Sequence, residues 1–172
     1  GDLQYFVLLV GNLHQRGEVG HRCTCRVDFT RLGATIRRNK AEVDTMADAV
    51  VVTDIDPVTL EIVRGKLLAA VDEMGIVIAR TSMSPVIYEV LDFACGILDT
   101  KAQLIVQTNG ITLFTGTFSF QLQAIQKKFG DDIHPGDVYM TNDPFEGGTH
   151  TCDVALIRPL FDGGTLRAFA IA

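Results

Sequence analysis

DPVTLEIVRGKLLAAVDEMGIVIAR, from Asp56 to Arg80, is the stretch on which the reading of the chain turns. Aspartate followed by proline is a helix-entry signal: the carboxylate can accept from amides of the first turn, and proline tolerates the first helical position because no intrahelical partner awaits its missing N–H. Leu60, Val63, Leu67, Ala70, Met74 and Val77 then recur at three- and four-residue steps, the period of one helix face. The spacing predicts a long amphipathic helix from Pro57 to about Arg80.

Working outward, TSMSPVIYEVLDF breaks that helix, because Pro85 disfavours helical backbone at Ser84, and the residues after it read as extended or irregular. FACGILD and QLIVQT flank Asp99 to Ala102 as two short strands around a turn. Phe118, Leu122, Ile125 and Phe129 mark one face of a second helix, closed by Gly130. HPGDVYMTNDP supplies a strand between proline-containing turns, and VALIRPLF and TLRAFAIA form a second hairpin about Asp162-Gly163-Gly164. The expected class is α+β: a long helix, β-hairpins and a second helix, with no repeat, low-complexity tract or Gly-rich phosphate loop. The sequence stops inside its last apolar strand, which reads as the front part of a larger protein with unpaired edge groups on that strand.

Before Met46 the sequence changes character. Through residue 45 there are seven Lys+Arg against five Asp+Glu, and from residue 46 onward eight against sixteen, so the balance moves from +2 to -8. MADAVVVTDIDPVTLEI reads like the natural start of a protein. Residues 1–45 are therefore expected to be a poorly ordered extension, possibly not native, ahead of a unit covering residues 46–172. His14, His21, Cys23 and Cys25 match no closed zinc site. The short apolar run from Tyr5 to Val10, with Asp2 ahead of it, is neither a signal peptide nor a membrane span.

A net charge of -6 over 172 residues argues against nucleic acid or an anionic membrane as partner. Hydrophobic residues at 47% suffice for one globular core. Cys23, Cys25, Cys95 and Cys152 are too few and too irregular for a disulfide framework, so a reducing cytoplasm is expected.

Chemistry concentrates in EGGTHTCDVALI, Glu146 to Ile157. His150 and Asp153 place an imidazole and a carboxylate close enough to meet one borderline cation if the backbone turns between them, and equally could close a turn and cap a strand. Gly147 and Gly148 let the backbone approach a ligand closely. Asp92, in LDFACGIL, is a carboxylate at the edge of an apolar strand that needs a partner. Cys152, between the two candidates, and Cys95 read as small packed thiols. Ser82 and Ser84 lack both a nearby histidine and the glycines of a nucleophile elbow.

The stretches DPVTLEIVRGKL, RTSMSPVIYEVLDFACGILD, IVQTNGITLFTGTFSF and HPGDVYMTNDPFEGGTHTCDVALIRPLF, in that order, resemble the hydantoinase B and 5-oxoprolinase family, which also includes the acetone and acetophenone carboxylase large subunits. The resemblance implies an incomplete portion of a larger hydantoinase B-type domain. It implies a divalent metal, zinc, manganese or iron, held by Asp92, His150 and Asp153 with a histidine further downstream. It implies a hydantoinase A-type ATPase subunit as partner in a hetero-oligomer, supplying ATP for hydrolysis of a cyclic amide (a hydantoin, 5-oxoproline or lactam). Ketone carboxylation and a non-catalytic assembly role are the alternatives.

Overall fold

The structure is a computed structural model that describes residues 56–108 and 110–172, together with two backbone strands, β1 (Thr24–Asp28) and β2 (Thr35–Arg37). The rest of the segment expected to be a poorly ordered extension, with His14 and His21, lies outside the described residues. The backbone of β1 pairs antiparallel with β2 and with β5 (Val138–Thr141).

Helix α1 runs from Pro57 to Thr81. Asp56 caps it as its sequence requires, with the carboxylate accepting from the Thr59 amide at 3.0 Å and Pro57 at the first position. Its buried residues are Val71, Met74, Gly75 and Ile78, so the expected stripe is covered only in the second half, while Leu60 and Val63 are exposed. The segment after it corrects the extended reading: Pro85–Tyr88 is a single helical turn, α2. Proline keeps Ser84 extended (ψ 122°) but favours helix at its own position, so the same residue that ends α1 starts α2. Leu91 then reverses the chain in the left-handed region, at φ 58°.

Strands β3 (Gly96–Asp99) and β4 (Leu104–Gln107) form the first hairpin, and β6 (Ala155–Asp162) and β7 (Thr165–Ile171) the second, turning at Gly163 and Gly164, both at positive φ. Helix α3 spans Thr112–Phe129 and ends at Gly130. The strands join in one antiparallel sheet of order β2-β1-β5-β6-β7-β3-β4. β7 is therefore an interior strand, paired with both β6 and β3, and Ala172 exchanges backbone hydrogen bonds with Leu156 at 2.8 and 3.0 Å. This corrects the expectation of unpaired edge groups on the last strand.

Side chains alternate across the sheet and build two cores. Val71, Met74 and Ile78 of α1 pack with Ile97, Val138 and Leu156 on one face. Phe118, Leu122 and Ile125 of α3 pack with Leu98, Tyr139 and Phe169 on the other. The fold is α+β, a mixed sheet-and-helix arrangement as expected. Among the described residues no helix is long and apolar enough to cross a membrane.

Candidate functional site

Topology brings Asp92 and Asp153 to the same end of the sheet. β3 and β6 both run antiparallel to β7, one on each side of it, so they start at the same edge, and Ile171 of β7 pairs with both Gly96 and Ile157. Asp92 lies just before β3 and Asp153 just before β6. Asp92 is held by the α2 turn, with its amide donating to the Val86 carbonyl at 3.0 Å.

The loop that presents His150 and Asp153 is built from its own polar groups. The Asp143 carboxylate accepts from the Phe145 amide at 3.0 Å and caps a 3-10 turn at Pro144–Glu146. Gly147 follows at φ 93°, and the Gly148 amide returns to the Asp143 carbonyl at 2.9 Å. Asn142, which is buried, donates its side-chain amide to the Thr151 carbonyl at 2.7 Å and ties the start of the loop to its end. The Asp153 amide then donates to the His150 carbonyl at 3.1 Å, closing the turn that sets the two candidates side by side.

His150 Nδ1 lies 2.8 Å from Asp153 Oδ2, Thr149 Oγ1 donates to the same oxygen at 2.6 Å, and Cys152 Sγ lies 3.6 Å from Oδ1. Partial burial pushes the Asp153 carboxyl up, but hydrogen bonds from Thr149, His150 and Cys152 outweigh it and hold the group below its ordinary value. An ionised carboxylate only accepts, so Nδ1 is the donor in this contact. Cys152 is exposed rather than packed; desolvation and the neighbouring Asp153 and Asp92 carboxylates push its thiol up. Cys95 is buried, as its sequence position predicts, and burial raises it to about 12.

Behind this loop is a cavity of about 120 Å³ between α1, α2, α3 and the start of β6, with Asp92, Thr149, Cys152 and Asp153 among its lining residues and Ile78, Phe114 and Phe118 among its apolar ones. His150 stands outside it with its side chain 67% exposed. Two of the three expected metal ligands are thus in contact and the third borders the cavity shared with Asp153. Among the described residues no three His, Cys, Asp or Glu side chains are drawn together closely enough to hold a metal ion. The sequence already places Asn142 and Thr149 among the polar groups of this loop, but the sequence reading missed Gln121. Gln121 falls between Thr117 and Ile125 at four-residue steps on α3, a spacing that would have placed it on the buried face.

An antiparallel sheet with a helix on each face and a carboxylate-lined cavity at one end defines the class, and comparison with known proteins names the family. Residues 56–172 match the hydantoinase B/oxoprolinase family, and the chain belongs to it. It is 31% identical over 137 residues to the 5-oxoprolinase of Saccharomyces cerevisiae, an alignment covering 80% of this chain and 11% of that protein. It is 34% identical over 112 residues to the beta chain of the caprolactamase of Pseudomonas jessenii, covering 65% and 19%. The crystal structure of the ATP-dependent caprolactamase from Pseudomonas jessenii superposes with a TM-score of 0.62 at 32% identity, over 68% of this chain and 20% of that one. A nucleotide-free acetone carboxylase shares the fold, with a TM-score of 0.63 at 20% identity over 67% and 16% of the two chains. The chain spans between about a tenth and a fifth of the length of the oxoprolinase and caprolactamase relatives.

Proposed function

We propose that this chain forms part of a hydantoinase B-type subunit that works in the cytoplasm with an ATP-using hydantoinase A-type partner to hydrolyse a cyclic amide. The observation that carries the reading is the His150–Asp153 contact at the mouth of a cavity that Asp92 also lines. Similarity to one chain of a caprolactamase and to the B-type component of a D-/L-hydantoinase from a Pseudomonas strain supports both the substrate class and a partner subunit.

In this reading a divalent ion would be held by Asp92, Asp153 and a ring nitrogen of His150, the imidazole giving up its Nδ1 contact with Asp153 to turn toward the cavity. By donor chemistry the set would suit zinc, manganese or iron, since one imidazole nitrogen and carboxylate oxygens favour no single one of them; the three side chains are not drawn together in this structure and would have to converge on the ion. Such an ion, when bound, supplies Lewis acidity toward a carbonyl oxygen or a water. The chain's own residues do the rest. Asp153 is kept ionised by its three donors; the apolar wall of the cavity seats a ring and excludes water; the polar rim faces its carbonyl end. ATP cleavage belongs to the partner.

The test is to express the full-length protein with its A-type partner and follow ring opening of hydantoin, 5-oxoproline and caprolactam with and without ATP. Ring opening that needs both subunits and ATP is expected. No ring opening of any of them, with bicarbonate-dependent carboxylation of a ketone in its place, would replace this reading by the carboxylase one.

A further inference from the structure

We propose that Gln121 accepts a hydrogen bond from the ring N–H of a cyclic amide seated in the cavity, and so selects ring amides over ring ketones. The inference rests on the cyclic-amide reading above. Gln121 is 5% exposed, lies on the sheet-facing side of α3 and lines the cavity. Its Nε2 donates to Thr117 Oγ1 at 2.8 Å, and that hydroxyl in turn donates to the Phe114 carbonyl at 2.8 Å. The orientation of the amide follows. A hydroxyl has one proton, and that of Thr117 is used on Phe114, so the group facing Thr117 must be the NH2 end. Oε1 is left over, buried and without a hydrogen-bond partner among the described residues.

A buried acceptor without a partner destabilises the fold, and leucine or methionine would fill the same space on α3 without that cost. Gln121 is therefore placed to meet a donor that arrives from outside the fold. The cavity is of the size for one small ring: at about 120 Å³ it is comparable to the engineered apolar cavity of about 150 Å³ known to take benzene. Asp153 already receives Thr149, His150 and Cys152, and the Thr149 proton is spent on it. Gln121 offers a neutral acceptor, the usual partner of an amide N–H. A ring ketone has no hydrogen to give it and leaves Oε1 unpaired, the situation in which a polar site rejects an analogue most strongly.

The experiment uses the full-length protein with its partner subunit, without nucleotide, and titrates 2-pyrrolidinone and cyclopentanone, which differ by NH against CH2. The wild type should prefer the lactam, and in Gln121→Met the ratio of the two dissociation constants should fall by about 5- to 10-fold. An unchanged ratio, or no binding of either ring, overturns the assignment. Wild-type crystals with 2-pyrrolidinone give a measurement that does not depend on the variant folding: the ring nitrogen should lie within roughly 3.2 Å of Oε1, and a water alone at Oε1 counts against the proposal. ATP-dependent ring opening by the wild-type complex is scored separately. If it is present while the ratio is unchanged, the Gln121 assignment fails and the cyclic-amide reading stands; if it is absent, that reading fails first.

Discussion

A β-carbon on Gly147 would sit 2.6 Å from Phe120 Cβ and 2.9 Å from the Gln121 backbone nitrogen, so the loop carrying His150 and Asp153 is seated directly on α3. Gly147 also lies at φ 93°. Gly147→Ala therefore meets backbone as well as an unfavourable conformation, and should cost at least about 2 kcal/mol while shifting the loop off the helix. Gly116, in the same helix, has open space around it and an ordinary φ. Gly116→Ala should stabilise by about 0.5–1 kcal/mol. Thermal unfolding of the two variants, moving in opposite directions from wild type, checks the pair; a neutral Gly147→Ala would show that the loop does not depend on this seat.

The cap of α1 gives a pH-dependent contribution. Hydrogen bonds from the Thr59 amide and hydroxyl hold the exposed Asp56 carboxyl below its ordinary value. A depressed carboxyl stabilises the fold while ionised, fully above the unfolded value near about 3.9, and the contribution disappears as pH falls through the lower folded value. Asp56→Ala should lower the melting temperature by a few degrees at neutral pH, and the gap to wild type should close below that range. A gap that stays constant down to the acid limb would mean that the charge of the cap is irrelevant.

Much of this fold is legible because its signals are local. The limits of α1 follow from Asp56-Pro57 and the apolar steps, and the β6–β7 turn from Gly163-Gly164, where two successive positive φ angles need residues without a Cβ. What is not legible depends on partners distant in sequence. Leu60 and Val63 carry the right period but are exposed, because periodicity marks a face without saying what covers it. The single turn of α2 escapes a reading in which proline acts only as a terminator. The site divides in the same way: the His150–Asp153 turn is set by residues within one loop, whereas the placement of Asp92 needs β3 and β6 to flank β7 in the same direction, which no local pattern encodes. Gln121 is passed over because an apolar stripe is traced through its hydrophobic members alone, although its three- and four-residue steps from Phe118 and Ile125 put it on the same face.

The two described free cysteines should differ in reactivity. Burial pushes the Cys95 thiol up to about 12 and removes it from solvent, whereas Cys152 is exposed and raised by desolvation and the Asp153 and Asp92 carboxylates. Peptide mapping after brief iodoacetamide treatment of the native full-length protein at pH 8 should find Cys152 modified slowly and Cys95 untouched, with both modified after denaturation. Replacing Asp153 by alanine should speed Cys152 labelling, since it removes the nearer carboxylate and the thiol's acceptor. Native labelling of Cys95 would contradict the packing of β3 against α1.

The last prediction separates a metal site from a turn closed by its own side chains. Asp153 accepts from both Thr149 and His150, so Asp153→Ala should destabilise by about 1 kcal/mol even if no ion ever binds. His150→Ala removes a side chain that is 67% exposed and should change stability by no more than about 0.5 kcal/mol. Stability alone therefore does not identify ligands, and Asp92 is the informative position. It lines the cavity with Asp153 but has no part in the 149–153 hydrogen-bond set, so Asp92→Asn keeps its shape and leaves that set untouched. If the three residues share an ion, Asp92→Asn and His150→Ala should each lower the metal content of the full-length protein by at least about tenfold, with loss of ATP-dependent turnover and an unchanged circular dichroism spectrum. A chelator should silence the wild type in the same way, and zinc, manganese or iron should restore it. Metal content at wild-type level in Asp92→Asn would take Asp92 out of the ligand set, and wild-type metal in both variants would return His150 and Asp153 to a structural pair that closes a turn.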